Sequence, residues 1–200
     1  MKPEVTERQI EIIEAAAKIL THSGVSGLTI KNLAKEMAFS ESAIYRHFES
    51  KEQIILAMLN FVLQNVDSVF IAKSPDLHNP VEKMEALFKN QFSFFRNNPH
   101  LAVAIFSDGL LEESRQINEQ LLKIISTRRK LIEPIVEEGQ KQKIFRGDLS
   151  ADELIHIIMG AVRLLMYKWR IGHFQFDIEK EGTKLISCIL KLITSDKHEK

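Results

Sequence analysis

The side chains best suited to chemistry on an anionic partner crowd into one stretch, Thr29 to Lys51, which reads TIKNLAKEMAFSESAIYRHFESK. Ser40, Ser42, Tyr45, Arg46 and His47 bring hydroxyl, guanidinium and imidazole groups, the types that contact phosphate oxygens and base edges. Ile44 and Phe48 sit four residues apart, so on a helix they share one face and can anchor it to a core. Ser42, Tyr45 and Arg46 are then left pointing elsewhere. Two short amphipathic segments meeting at a tight break, the second armed in this way, predict a helix-turn-helix. The remainder of the chain reads as apparatus for dimerising and controlling it.

The elements that must position these residues are legible in order. Thr6 and Gln9 have the spacing of a capping box, and Ile10, Ile13, Ala16, Ala17 and Leu20 then recur at helical spacing until Gly24, which predicts a left-handed cap. Thr29 starts a second helix whose inner face is Ile30, Leu33, Ala34 and Met37. Ala38-Phe39-Ser40 makes the break, with Ser40 as N-cap of a third helix running to about Phe48. Ser50 and Gln53 form a second capping box, opening a long fourth helix (about 51–72) through Ile54, Leu56, Leu59, Val62 and Val66.

Ser74-Pro75-Asp76 and His78-Asn79-Pro80 flank a loop, the clearest boundary in the chain. Asn79 as N-cap with Pro80 at the first helical position predicts a fifth helix carrying Val81, Met84, Leu87, Phe88, Phe92 and Phe95 and ending near Asn98-Pro99. A shorter helix follows from Leu101 to Phe106. In the next run, Ile117, Leu121, Ile124, Ile125, Leu131, Ile132, Ile135 and Val136 repeat at helical spacing, and Pro134 is expected to kink or divide that helix. A third capping box, Ser150 to Glu153, follows the turn at Gly147-Asp148. It opens a helix apolar nearly all round, from Leu154 to Met166, which must be buried on two faces. Asp177 caps a last helix with Leu185, Ile186, Ile189, Leu190, Leu192 and Ile193, and Lys197 to Lys200 reads as a frayed polar tail. No strand pattern, repeat or low-complexity tract is present, so the chain is all-α.

Composition narrows the function classes. With 44% hydrophobic and 27% charged residues, the 200-residue chain is an ordinary soluble protein with ample core. MKPEVTERQ holds no apolar signal region, and no uncharged run nears the roughly 18 residues of a membrane span. The single cysteine, Cys188, excludes an internal disulfide framework, so a reducing, cytoplasmic setting is expected with Cys188 as a buried core thiol. Net charge is zero, and residues 1–51 carry seven Lys/Arg against seven Asp/Glu. A DNA-binding module therefore has to concentrate its cations at the docking surface. Glu153-x-x-His156 is the strongest metal signal, but a di-iron bundle needs that pattern twice, and no glycine-rich phosphate loop, Cys cluster or HExxH occurs. No cofactor is called for. The rival readings are a helical protein-interaction adaptor without DNA binding and, behind it, a metal-binding helical-bundle enzyme.

The N-terminal third resembles the TetR family of transcriptional regulators. Ile10, Ala15 and Ala16, then Gly24 and Thr29, and the pair Leu33-Ala34 match the family's first two helices in order. Ile44-Tyr45-Arg46-His47-Phe48-Glu49-Ser50-Lys51 matches its signature in full, and Ala38 stands where the family usually has glycine, so the turn either avoids a positive φ or carries mild strain. The resemblance implies a three-helix N-terminal helix-turn-helix DNA-binding domain, residues 1–52, and a larger C-terminal helical ligand-binding and dimerisation domain, residues 53–200. It implies a ligand-responsive regulator, a repressor and not an enzyme, acting as a homodimer on a palindromic double-stranded operator.

Roles follow residue by residue. Tyr45, His47 and Lys51 grip the DNA backbone, with Lys51 at a helix start that already favours anions. Thr29 and Lys31 at the start of helix two form a second clamp. Ser40, Glu41, Ser42, Ala43 and Arg46 face the bases; Arg46 reads guanine or holds a phosphate, and Glu41 accepts from cytosine or offsets the helix dipole. The last two helices of each subunit form a four-helix dimer interface. Within the segment from Val81 to Phe176, Phe88, Phe92, Phe95, Phe106, Met159, Met166, Tyr167 and Trp169 are expected to wall a pocket for a small lipophilic effector, with Gln91, His156 and Arg163 as its polar contacts.

Overall fold

The computed structural model describes residues 6–71, 77–106 and 114–195. They form α1 (Glu7–Gly27), α2 (Ile30–Glu36), α3 (Glu41–Tyr45), α4 (Lys51–Ile71), α5 (Pro80–Asn97), α6 (Pro99–Phe106), α7 (Arg115–Lys141), α8 (Ala151–Ile171) and α9 (Ile178–Ile193). Among the described residues the one extended pairing is an isolated antiparallel bridge between Phe145 and Thr194. The Ser74-Pro75-Asp76 break, the side chain of Val66 and the Lys197–Lys200 tail lie outside the described residues. The chain divides into two compact units, one ending at Leu63 and joined by Pro99–Lys123, the other formed by Gln64–Asn98 and the chain from Ile124 onward.

In the first unit, α1 opens with the reciprocal Thr6–Gln9 capping box. Its break at Gly24 has φ 65° and ψ −170°, a glycine-only conformation distinct from the expected left-handed cap. Helix then resumes for one turn to Gly27 and delivers Leu28 into the core. Ile12, Ala16, Leu20, Leu33, Ile44, Ile54, Ile55 and Met58 are buried in this unit. The small residues of α1 and the run Leu101–Ala104 of α6 let those two helices meet. On α4 the inward positions are Ile54, Ile55, Met58, Leu59 and Val62; Leu56, expected inside, is only half-buried. Ser50 caps α4 by accepting from Gln53 N–H, but the Gln53 side chain accepts from Glu49 N–H, so the expected capping box is only half formed.

The second unit is built on α5 and α9. Asn79 accepts from Val81 N–H with Pro80 in the first turn, as the sequence predicts. Met84, Leu87, Phe88, Phe92 and Phe95 form the buried face of α5. Gly182 of α9 sits against the Phe92 ring so closely that an added Cβ would lie 2.4 Å from it. The Arg115–Lys141 helix continues through Pro134, so of the two expected outcomes, a kink or a division, the division does not occur. Pro134 is exposed, where water can serve the carbonyl its ring deprives of a partner. On α7 the buried residues of this unit are Ile124, Arg128, Ile132 and Val136, while Ile125, expected in the apolar stripe, is exposed. The Ser150–Glu153 capping box of α8 is reciprocal, and Asp177 caps α9 by accepting from Glu179 and Lys180. Cys188 is exposed, not buried as expected, because it lies on the outer side of α9.

Candidate functional site

α3 is a five-residue helix, shorter than expected, and Arg46-His47 continue it as a turn. Its geometry is set from below. Ile44 is fully buried and Phe48 nearly so, which fixes the helix by one face. Ser40 caps the N-terminus, accepting from Ala43 N–H at 3.2 Å, and its hydroxyl lies 2.9 Å from that of Ser42. Gln9 of α1 donates to the His47 carbonyl at 3.4 Å, tying the end of the motif to the first helix.

The break before α3 is a Schellman cap on α2. Ala38 N–H donates to the Lys35 carbonyl at 3.2 Å and Phe39 N–H to the Ala34 carbonyl at 2.8 Å. Ala38 takes the left-handed position with φ 54°. The sequence left two options at this alanine, a strained turn or a different one, and the strained turn is what forms. Phe39 follows with its ring under the Arg8 guanidinium, 5.1 Å from the centroid.

Anchoring one side of this motif turns the other outward. Thr29, Lys31, Ser40, Glu41, Ser42, Tyr45, Arg46 and His47 are exposed; Ala43 and Lys51 are half-buried. Tyr45 is 51% exposed, a large aromatic displayed to solvent. Thr29 is committed in part to capping, accepting from Asn32 N–H at 3.1 Å. Lys51 is the first residue of α4, where unpaired N–H groups add to its charge. Glu41 is the acidic residue in the first turn of α3.

The expected effector residues are dispersed. Phe88, Gln91, Phe92 and Phe95 of α5 and Met166 and Trp169 of α8 are buried in the second unit. Trp169 Nε1 donates to the Phe176 carbonyl at 2.9 Å, and Phe174 meets its ring edge-on at 4.7 Å. Met159 and Tyr167 are half-buried, His156 and Arg163 are exposed, and Phe106 belongs to the first unit.

One buried polar group had no place in that list. Arg128 of α7 is only 9% exposed and donates from Nη2 to Gln91 Oε1 at 2.8 Å. Burial pushes its guanidinium down to about 10, and the neighbouring Arg163 charge adds to that. Its signal was present in the sequence. Ile124, Arg128, Ile132 and Val136 recur every four residues, placing an arginine inside the apolar stripe.

Among the described residues no three His, Cys, Asp or Glu side chains gather as metal ligands would, and no helix is long and apolar enough to cross a membrane. An exposed polar helix on a buried anchor, followed by a larger helical unit, defines a helix-turn-helix DNA-binding regulator. The comparisons with known proteins agree. Residues 12–58 match the family model for bacterial regulatory proteins, tetR family, and residues 60–194 match the YsiA-like protein C-terminal region. The chain belongs to the TetR family of bacterial regulatory proteins.

Among its relatives, the HTH-type transcriptional repressor KstR2 of Mycobacterium tuberculosis is 23% identical over 197 residues, covering 96% of both chains. The nucleoid occlusion factor SlmA of a Marinomonas species is 23% identical over 167 residues, covering 82% of this chain and 85% of its own. The fold is similar to that of the regulator FadR of Bacillus subtilis in complex with stearoyl-CoA, with a TM-score of 0.76 at 17% identity over 92% of this chain and 98% of that one.

Proposed function

We propose that the protein is a repressor that binds a palindromic operator as a homodimer and is released from it by a small lipophilic effector in the cytoplasm. The observation that carries the DNA-binding part is the outward display of Tyr45, Arg46 and His47 above the buried Ile44–Phe48 anchor. In this reading residues 1–52 are the DNA-binding domain and 53–200 the effector and dimerisation domain. Tyr45, His47 and Lys51 grip the backbone, with Thr29 and Lys31 as a second clamp. Ser40, Glu41, Ser42, Ala43 and Arg46 face the bases.

Dimerisation is supported by the outer faces of α8 and α9. Ile157, Leu164 and Ile171 recur every seven residues on α8 and are all more than half exposed, with Leu164 at 61%. On α9, Leu192 is 67% exposed and shares a face with Leu185 and Cys188. Apolar stripes at heptad spacing on two neighbouring helices suit a four-helix bundle made with a second copy. A single helix-turn-helix makes few contacts, and a dimer doubles them on a two-fold symmetric site.

The effector is an acyl compound held in the second unit beside the phenylalanines of α5. The stearoyl-CoA bound by the FadR relative supports that class. Allostery then means that ligand binding favours a separation of the two recognition helices that no longer fits the operator.

Selection of bound duplexes from a random pool tests the reading. The expected result is a palindromic consensus whose affinity falls steeply with salt. Lys51→Ala should weaken binding to all sequences alike and reduce the salt slope by about 1. Absence of salt-dependent duplex binding even at low ionic strength would leave the adaptor reading in its place.

A further inference from the structure

Among the described residues, the interior of the second unit contains donors without acceptors. Arg128 has five N–H groups, and its hydrogen bond is to Gln91 Oε1. The ion pairs described in this unit employ Lys83, Arg96, Arg129, Arg146 and Lys184, and not Arg128. Gln91 is 3% exposed, and its Nε2 is buried with no hydrogen-bond partner among the described residues. Flipping the amide does not help, because it would set one donor against another. A second cation, Arg163 of α8, is close enough for its charge to act on Arg128.

Buried donors left without acceptors, and above all a buried cation without an anion, cost stability and are rare unless something completes them. The surroundings say what kind of molecule does so. Gln91 is flanked on its own helix by the buried Phe88 and Phe95, one turn to either side. Arg128 is flanked by the buried Ile124 and Ile132. A wholly polar ligand would lose its hydration here, and a wholly apolar one would leave the donors orphaned. An amphiphile with acceptor oxygens at one end of a hydrocarbon chain satisfies both.

We propose that Gln91 and Arg128 form the head-group seat of the effector, receiving the acyl oxygen of a carboxylate or thioester whose hydrocarbon chain lies among the phenylalanines of α5. The seat rests on the reading that this unit binds a lipophilic effector, and it names the residues and head-group chemistry within that reading. A planar guanidinium beside an amide N–H suits an acyl oxygen better than a hydroxyl, since Gln91 Oε1 is already taken by Arg128 and the groups left over at the seat donate.

The test uses the full-length protein and three probes of equal chain length: dodecanoate, dodecanoyl-CoA and dodecan-1-ol. Binding is measured by titration calorimetry and unliganded melting temperature by circular dichroism. The wild type is expected to bind at least one acyl probe. Arg128→Met should weaken that binding roughly 10- to 100-fold, the loss of a charge-assisted hydrogen bond. It should leave dodecanol binding unchanged and melt no lower than the wild type, because an unpaired buried cation has been removed. Gln91→Glu places a carboxylate beside Arg128, and it should raise the melting temperature and abolish acyl binding by occupying the seat from within.

The acyl probe that responds to Arg128→Met identifies the head group, a carboxylate if dodecanoate and a thioester if dodecanoyl-CoA. Wild-type affinity for the acyl probe in both variants overturns the seat and leaves the effector reading standing. Failure of the wild type to bind any of the three probes overturns the effector reading, and the seat falls with it.

Discussion

Replacing Ala38 by glycine isolates one local conflict in the DNA-binding unit. Ala38 holds φ 54° as the left-handed residue of the cap that ends α2. For an L-residue with a Cβ that conformation costs about 1–2 kcal/mol, and glycine escapes the cost. Glycine also loosens the unfolded chain, which takes back about 0.4–1 kcal/mol. The Ala38 methyl is exposed, so its removal opens no cavity. Ala38→Gly should therefore stabilise the protein by about 0.5–1 kcal/mol. The assay is urea unfolding at fixed protein concentration, followed by circular dichroism, with the gain read as a higher midpoint at unchanged slope. In a chain of 200 residues the matching rise in melting temperature is about 1–4 °C. Ala38→Val, β-branched at the same φ, should move both readings the other way. Operator affinity should be kept in the glycine variant, because the caps and anchors that position Ser40 to His47 are untouched. A midpoint that falls with Ala38→Gly would refute the strain argument.

Three other perturbations address packing, assembly and pH. Gly182→Ala places a Cβ 2.4 Å from the Phe92 ring, so it should destabilise by about 1–3 kcal/mol; a melting temperature equal to the wild type would mean that α5 and α9 are packed less closely than described. Leu164→Glu puts a charge into the exposed stripe of α8, and sedimentation should show a folded monomer in place of a dimer; persistence of the dimer would remove that face from the interface. His100 of α6 is held below its ordinary range chiefly by burial, with nearby Glu14 opposing that and Lys18 adding to it. The unfolded chain thus takes up the proton first as pH falls through about 6.5, so stability declines from there toward lower pH. His100→Gln should lose less melting temperature than the wild type between pH 7 and pH 5, and an identical pH profile would show that His100 plays no part in the decline.

What was legible in the sequence was local. Thr6–Gln9 and Ser150–Glu153 close as reciprocal boxes because each needs only four consecutive residues, and Asn79-Pro80 and Asp177 cap α5 and α9 for the same reason. The display of Tyr45, Arg46 and His47 also follows from spacing alone, once Ile44 and Phe48 are taken as anchors. The failures arise where a distant element decides. Whether Leu56 or Ile55 points inward depends on what meets α4, and both choices fit an apolar helix. Pro134 is tolerated because its side of α7 faces solvent, which no local pattern states. The apolar neighbours of Cys188 predict a core thiol, yet α9 is apolar on a second side as well, and the thiol lies there. Two options at Ala38 were open in the sequence because steric cost and turn geometry conflict at that residue, and only coordinates reveal which prevails.

The same helical period that hid Cys188 carried the signal at Arg128. A charged residue at a core position of an amphipathic helix contradicts its own pattern, and such contradictions gather at functional sites. The outer stripe of α8 is the complementary case: Ile157, Leu164 and Ile171 meet the rule for a buried face without being buried. Among the described residues each is left incomplete, and each specifies the chemistry that completes it. Uncovered apolar surface calls for apolar surface, and unpaired donors call for acceptor oxygens. The two meet on α8. Arg163, whose charge acts on Arg128, directly precedes Leu164 of the stripe. If the stripe is the dimer face proposed above, α8 carries that face beside a cation close to Arg128.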